Sequence, residues 1–268
     1  MCASNYSDFE IIAVNDRSTD NSADILNRIK SNFNFLQIIT ITHVPEDWLG
    51  KTYALQKGIE QSKGKYILLT DADVIFSPQL VKKAIAYMQK FQLDHLTLSP
   101  RLIMNSFLMQ CFMPFQLLIM VLAMSPWRVN SKNVRSAIGV GAFNCVTRQA
   151  FNQIGLMKNL ALNPIDDVGL ARHLKSKGCR QGFANAQGLL QLEWYGHLKQ
   201  VYHGFEKNIF AFFEFSILKS CFALAAYVSL MFVPIIGLLS NNLILSVLSI
   251  IPILIIISLL YQINSELL

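Results

Sequence analysis

The sequence predicts an α/β fold: a Rossmann-like, mostly parallel sheet with helices on both faces, followed by a C-terminal transmembrane helical hairpin. Three observations predict it. Strand-like and helix-like patterns alternate with short loops through the first 100 residues, the signature of a parallel sheet covered on both sides. Carboxylates stand directly after two of those strands, where ligands sit in such sheets. From residue 220 to residue 265 there is no Asp, Glu, Lys or Arg.

Each element follows in order. Residues 9–14 read as a buried strand, and Asn15-Asp16-Arg17-Ser18-Thr19-Asp20 is a turn rich in helix-capping side chains. A helix runs to about Lys30, with Ile25, Leu26 and Ile29 on one face. Residues 35–42 form the next strand. The loop 43–50 carries Pro45 and Gly50, and 51–63 is a helix stopped by Gly64. Strand 65–70 ends in Asp71-Ala72-Asp73, and Ser77-Pro78 opens a helix to about Phe91. The apolar stretch 107–124 holds four Met and Pro114 and no charge. At the lower length limit for a span, it reads as an interfacial helix in preference to a third span or a core helix. Residues 138–147 read as a strand in which Gly139 and Gly141 permit close backbone approach. A helix over 166–177 closes at Gly178, and 180–185 and 189–194 are short strands.

Residues 195–219 read as an aromatic, partly basic helix leading to the membrane. The charge-free block splits at Ser240-Asn241-Asn242 into 220–239 and 243–263, each about the 20 residues that a spanning helix needs. The expected organisation is an α/β domain over 1–198, a juxtamembrane amphipathic helix over 199–219 and two spans over 220–268.

Composition agrees. Hydrophobic residues make up 53% and charged residues 15% of the chain, against about 25% charged in an average soluble domain. Mean hydropathy is +0.38. Net charge is +6, which suits an anionic membrane surface and a phosphate-bearing substrate. Nucleic acid is not expected as a partner, because no basic stripe is interleaved with aromatics. Lys199, Lys207 and Lys219 precede the first span, placing the N-terminal domain on the cytoplasmic side of the inner membrane in a multi-pass protein. The five cysteines are scattered with no CxxC, so neither a disulfide framework nor a zinc site is indicated. No signal peptide opens the sequence.

The chemistry concentrates in acidic pairs. Asp71 and Asp73, two apart at a strand end, project to one side and suit a hard divalent cation, Mg²⁺ or Mn²⁺, whose shell phosphate oxygens complete. The alternative is a polar turn. Asp16 follows a strand and suits a base N–H or ribose hydroxyl of a nucleotide, or else helix capping. Lys51, at a helix start behind Trp48-Leu49-Gly50, suits a diphosphate. Asp166-Asp167 open a helix, where one carboxylate caps or hydrogen-bonds and the other serves as a general base. His203 and Glu206, before the membrane, could touch a lipid head group.

This ordered set resembles the family 2 glycosyltransferases, which have the GT-A fold. The matching stretches are Phe9 through Asp20, Gly50-Lys51-Thr52-Tyr53-Ala54-Leu55, Gly64-Lys65-Tyr66 through Val74, Val140-Gly141-Ala142-Phe143 through Arg148, and Asp166-Asp167-Val168-Gly169-Leu170. The resemblance covers about residues 8–210 and is nearest to membrane-tethered members associated with hopanoids and carotenoids. It implies that Asp16 contacts the nucleotide, Asp71 and Asp73 serve the metal with Asp73 as direct ligand, and Asp167 is the base. The reaction it implies is transfer of a sugar with inversion from a nucleotide-sugar donor to a lipid-type acceptor. Three departures stand out. The family's opening strand, with its Pro-x-x-Asn-Glu-like turn, precedes the stretch matching Phe9, so the chain is expected to be N-terminally truncated. Asn15 replaces the more usual Asp. The Gln-x-x-Arg-Trp motif of processive synthases is absent, with His203-Gly204-Phe205-Glu206 near its place. A processive polysaccharide synthase and a truncated inactive remnant are the alternatives.

Overall fold

The computed structural model describes residues 4–104, 106–186, 188–193, 195, 196, 199–201, 204, 215–239, 244, 246, 249, 250 and 254, apart from some side chains inside helices Phe107–Met124 and Ile217–Leu238. Residues 1–103 and 124–193 form one compact unit, and 104–123 with 194–268 a second.

In the first unit, β1 (Ile11–Asp16) leads through α1 (Ser22–Lys30) to β2 (Leu36–Ile41). The two strands pair in parallel from Ile11↔Leu36 to Asp16↔Ile41. Asp24 in the first turn of α1 and Arg28 and Lys30 in its last turn complement the helix dipole. Next come α2 (Gly50–Gln61), β3 (Tyr66–Leu69), β4 (Val74–Phe76), α3 (Leu80–Phe91), β5 (His95–Ser99) and β6 (Arg101–Leu102). After α4 (Phe107–Met124), which falls almost wholly in the second unit, follow β7 (Asn144–Thr147), α5 (Arg148–Ile154), α6 (Asp166–Ser176), β8 (Gln181–Asn185) and β9 (Leu190–Leu192). Thr147 caps α5 by accepting from Ala150 N–H at 3.3 Å. Gly178, at φ +82°, supplies the left-handed residue beyond α6.

The strands form a β1-β2 pair, a four-stranded sheet β3-β7-β5-β8 and a three-stranded sheet β4-β9-β6. The predicted mostly parallel sheet is therefore corrected to mixed sheets. Strands β5/β8 and β6/β9 are parallel, but β3/β7, β5/β7 and β4/β9 are antiparallel. The reason is the long excursion between β6 and β7. No crossover helix leads directly into β7, which inserts between β3 and β5 running against both. The predicted strand 138–147 also shrinks to its last four residues.

The core of this unit joins Ile59 of α2, Ile67 of β3, Val146 of β7, Phe151 and Ile154 of α5 and Leu170 and Leu174 of α6. Two buried polar side chains fasten α2 to the segment leading into α6. Thr52 Oγ1 donates to the Ala161 carbonyl at 2.8 Å, and Gln56 Oε1 accepts from Met157 N–H at 2.9 Å. Leu49 N–H adds a bond to the same Ala161 carbonyl at 2.8 Å.

The second unit contains α4 and α7 (Ile217–Leu238). The helix expected over 107–124 is present with those bounds. Of the predicted hairpin, the first span falls within α7 apart from Leu239, and the second lies mostly outside the described residues. Among the described residues, no helix is long and apolar enough to cross a membrane. The structure therefore lends the hairpin no support. Most of the helix expected over 195–219 lies outside the described residues.

Removing the Thr52 hydroxyl tests the fastening. Thr52→Val should cost about 1 kcal/mol, the net worth of a buried hydrogen bond whose acceptors keep other partners. A lowered thermal midpoint with an unchanged far-UV spectrum is the expected result.

Candidate functional site

Five of the predicted side chains are brought together in the first unit. Lys51, in the first turn of α2, sends Nζ to Asp71 Oδ1 at 3.0 Å and to Asp166 Oδ1 at 3.2 Å. Three segments distant in sequence thus meet at one ammonium. No side chain caps α2, so the N–H groups of its first turn are open to a ligand.

Asp16 ends β1, where Arg17 holds both of its oxygens, Nε to Oδ1 at 2.7 Å and Nη2 to Oδ2 at 3.2 Å. Arg17 takes φ +53°, an uncommon conformation for a residue other than glycine, asparagine or aspartate. A Cβ at Gly50 would stand 2.6 Å from Asp16 Oδ2 and 2.8 Å from Arg17 Nη2. The start of α2 therefore abuts the Asp16 carboxylate, and Gly50 makes that approach possible.

The acidic turn after β3 divides its two carboxylates. Asp71 faces Lys51, and its N–H donates to the Gly141 carbonyl at 3.2 Å. Asp73 is exposed. The sequence reading placed both on one side of a strand; here both lie past the end of β3, in the turn to β4, where alternation no longer applies. Among the described residues, no three His, Cys, Asp or Glu side chains are grouped to hold a metal ion.

Asp166 and Asp167 open α6. Asp166 is the ion-pair partner of Lys51. Asp167 is part-buried, and its Oδ1 accepts from Val168 N–H at 2.7 Å. Burial pushes its pKa up to about 6, and the charge of Asp166 pushes the same way, while the Val168 N–H and Lys51 pull back. Burial works against the charge of Lys51, but Asp166, then Asp71, outweigh it and hold the lysine above its ordinary value.

The floor of the site is segment 138–143. A Cβ on Gly139 would run into the backbone of Asp167 and Val168, and one on Gly141 would stand 2.5 Å from Asp71 Oδ2. Buried polar groups hold this segment. Thr97 Oγ1 donates to the Ile138 carbonyl at 3.2 Å, and Asn144 Nδ2 to the Val140 carbonyl at 2.9 Å. His95 Nε2 lies 3.0 Å from both Asn144 Oδ1 and Thr97 Oγ1. Burial lowers its pKa to about 4 despite the Asn144 bond, so the brace is uncharged at neutral pH.

His203 and Glu206 lie outside the described residues. Arg17 and the His95–Thr97–Asn144 brace were not anticipated from sequence. Arg17 adjoins Asp16 within the quoted turn, but His95 and Thr97 read only as an ordinary strand.

Residues 1–106 match the family model described as Glycosyl transferase family 2. The chain is 41% identical over 64 residues to "Probable glycosyltransferase YdaM" of Bacillus subtilis, covering 24% of this chain and 15% of that protein. It is 37% identical over 75 residues to the poly-beta-1,6-N-acetyl-D-glucosamine synthase of Staphylococcus aureus, covering 28% of this chain and 17% of that one. The chain thus matches only about a sixth of the length of these curated relatives. Among solved structures, S. aureus TarS 1–349 in complex with UDP superposes with TM-score 0.53 at 12% identity, over 75% of this chain and 56% of that one. The mannosyltransferase PcManGT of Pyrobaculum calidifontis, in complex with GDP-Man and Mn²⁺, superposes with TM-score 0.52 at 16% identity, over 68% and 47%. These likenesses show a GT-A-like α/β fold.

The Asp167 environment has a stability consequence. A carboxyl whose pKa rises from its usual value near 4 to about 6 on folding binds more protons folded than unfolded. Its contribution is full below about pH 4 and is lost as pH rises through 6. Asp167→Asn cannot ionise, so it should be more stable than the parent at pH 7, by about 1–3 kcal/mol, and equal to it at pH 4. Denaturation at the two pH values measures the difference.

Proposed function

We propose that the chain is an inverting glycosyltransferase that moves a sugar from a nucleotide-sugar donor to a lipid-type acceptor at the cytoplasmic face of a membrane. The observation that carries the reading is the joining of Asp71, Asp166 and the start of α2 through Lys51, beside part-buried Asp167. The family 2 match over residues 1–106 supports the class. The UDP complex of TarS and the GDP-Man complex of PcManGT support a nucleotide-sugar donor.

Each residue has work to do. Asp16 receives the nucleotide. The open N–H groups of α2 and the Lys51 ammonium receive the diphosphate. A divalent cation, Mg²⁺ or Mn²⁺, when bound neutralises charge on the departing diphosphate. The donor set fits such an ion: exposed Asp73 with Asp71 close by gives the one or two carboxylates that it takes alongside phosphate oxygens, without a complete protein cage. Asp167, charged at neutral pH yet with raised proton affinity, takes the proton of the acceptor hydroxyl. The hydroxyl oxygen bonds to the anomeric carbon as the bond to the diphosphate breaks on the opposite face, inverting the centre.

Apolar side chains on α7 support the membrane placement: Leu218 is 81% and Phe222 77% exposed, a surface that calls for cover. Their cover is a bilayer in this reading. A second reading, a polysaccharide synthase, is favoured by the name of the S. aureus relative. Partitioning of labelled product separates the two: a glycolipid enters the organic phase, a polymer does not.

Two outcomes are expected. The rate should climb about tenfold per pH unit below pH 6 and level above it, while Asp167→Asn should lose roughly 10²–10⁴-fold. Asp73→Asn should weaken Mn²⁺-dependent binding of UDP or GDP by calorimetry while leaving the thermal midpoint in place; unchanged metal dependence would remove Asp73 from the cation site.

A further inference from the structure

We propose that segment 126–136 is a docking surface through which the first unit itself seats on an anionic phospholipid bilayer. Trp127 is 64% exposed. Arg128, Lys132 and Arg135 are exposed around it, and none has an ion pair among the described residues. From His95 to Ile165 the sequence contains no Asp or Glu, so no acidic neighbour along this long stretch offsets the three cations.

The surface is held from beneath. A short 3-10 turn, Pro126–Arg128, follows Ser125 at φ +49°, and a second covers Val134–Ser136. Arg128 N–H donates to the Ser125 carbonyl at 2.8 Å, and Arg135 N–H to Asn133 Oδ1 at 3.0 Å. Val129 and Ser136 turn inward. There Lys175 of α6 donates to the Val129 carbonyl at 2.7 Å and to Ser136 Oγ at 2.8 Å. Lys175 is buried, and these two acceptors are neutral oxygens, a costly arrangement for an ammonium. It clamps both ends of the segment to α6 while the tryptophan and the three cations stay outside. A merely solvated charge run would not need such a clamp.

The chemistry selects a lipid surface. An exposed indole flanked by Lys and Arg matches the bilayer interface, where the ring enters the headgroup layer and the cations meet phosphates. Single-stranded nucleic acid takes several aromatic faces along a basic groove, and one exposed ring does not supply them. The segment runs on directly into Gly139 and Gly141, against Asp167 and Asp71. Docking here would bring the candidate site to the bilayer surface. The docking does not depend on the transferase reading; its use in reaching a lipid-type acceptor does.

The test uses the full chain, reconstituted into vesicles of phosphatidylcholine alone or of phosphatidylcholine mixed with anionic phosphatidylglycerol. Quenching by brominated acyl chains is read as the difference between the parent and Trp127→Phe. Trp127 should be quenched in the anionic vesicles, and less at high salt or in phosphatidylcholine. Each Lys or Arg at an anionic leaflet is worth about fivefold in binding, so Arg128→Gln/Lys132→Gln/Arg135→Gln should weaken docking roughly 100-fold. Donor binding measured in detergent should be unchanged by that triple variant. Equal quenching in both lipids, or quenching indifferent to the triple variant, overturns the proposal while leaving anchoring by α7 standing. Failure to associate with either vesicle overturns both. Loss of RNA binding in the triple variant, with lipid contact unchanged, would reassign the surface to nucleic acid.

Discussion

The Lys51 ammonium is the interaction on which the rest of the site depends. It bonds to Asp71 after β3 and Asp166 at the start of α6, and Asp167 adds a third carboxylate close enough to raise the lysine's pKa further. Without the cation, like charges would crowd together at the end of a sheet and push α6 away from the β3–β4 turn. With it, the three segments share one charge centre that is half open to solvent. An incoming diphosphate would compete with Asp71 and Asp166 for the same ammonium. Ligand binding and the arrangement of the acidic groups are therefore coupled through one side chain.

That charge centre stays in register because neutral contacts position its parts. Thr52 and Gln56 fasten α2 to segment 157–161, so the lysine and the start of α6 share one frame. Below them, bare glycine backbone at positions 139 and 141 lets segment 138–143 pass against the Asp167 main chain and the Asp71 carboxylate. A methyl group at either would collide. The carbonyls flanking Gly139 are pinned by Thr97 and Asn144, and His95, neutral by burial, completes the brace without adding charge. A charged group there would have shifted the acidic pair above it.

How much of this was legible in sequence follows from the range of each interaction. Local patterns were readable: α1, α2, α3 and α6 fall within two or three residues of their expected bounds, since capping, apolar spacing and a terminal glycine act over one or two turns. The positions of Asp16, Lys51 and the acidic pairs at element ends were readable for the same reason. Strand direction was not. The insertion of β7 between β3 and β5 is fixed by the course of a long excursion, and four apolar-to-polar residues carry no mark of direction. The separation of Asp71 from Asp73 was hidden because the turn ends strand alternation just where the motif begins. The brace was hidden because a buried His, Thr and Asn become a network only once β5 and β7 are paired.

The adjacent pair Asp166-Asp167 shows why two neighbouring carboxylates can take different work. Successive helical residues point about 100° apart, so only one can face a given cation. Asp166 takes Lys51 and keeps its charge compensated. Asp167 feels that same negative neighbour, together with burial, and only a weaker pull from the lysine. The ion pair thus does two things at once: it fixes α6 in place, and it leaves beside it a carboxyl with raised proton affinity. Reversing the two side chains' surroundings would put the raised group on the lysine and the compensated one against segment 138–143. The sequence Asp-Asp cannot say which is which. The direction of α6, set by Gly139 packing on the Asp167 backbone, decides it.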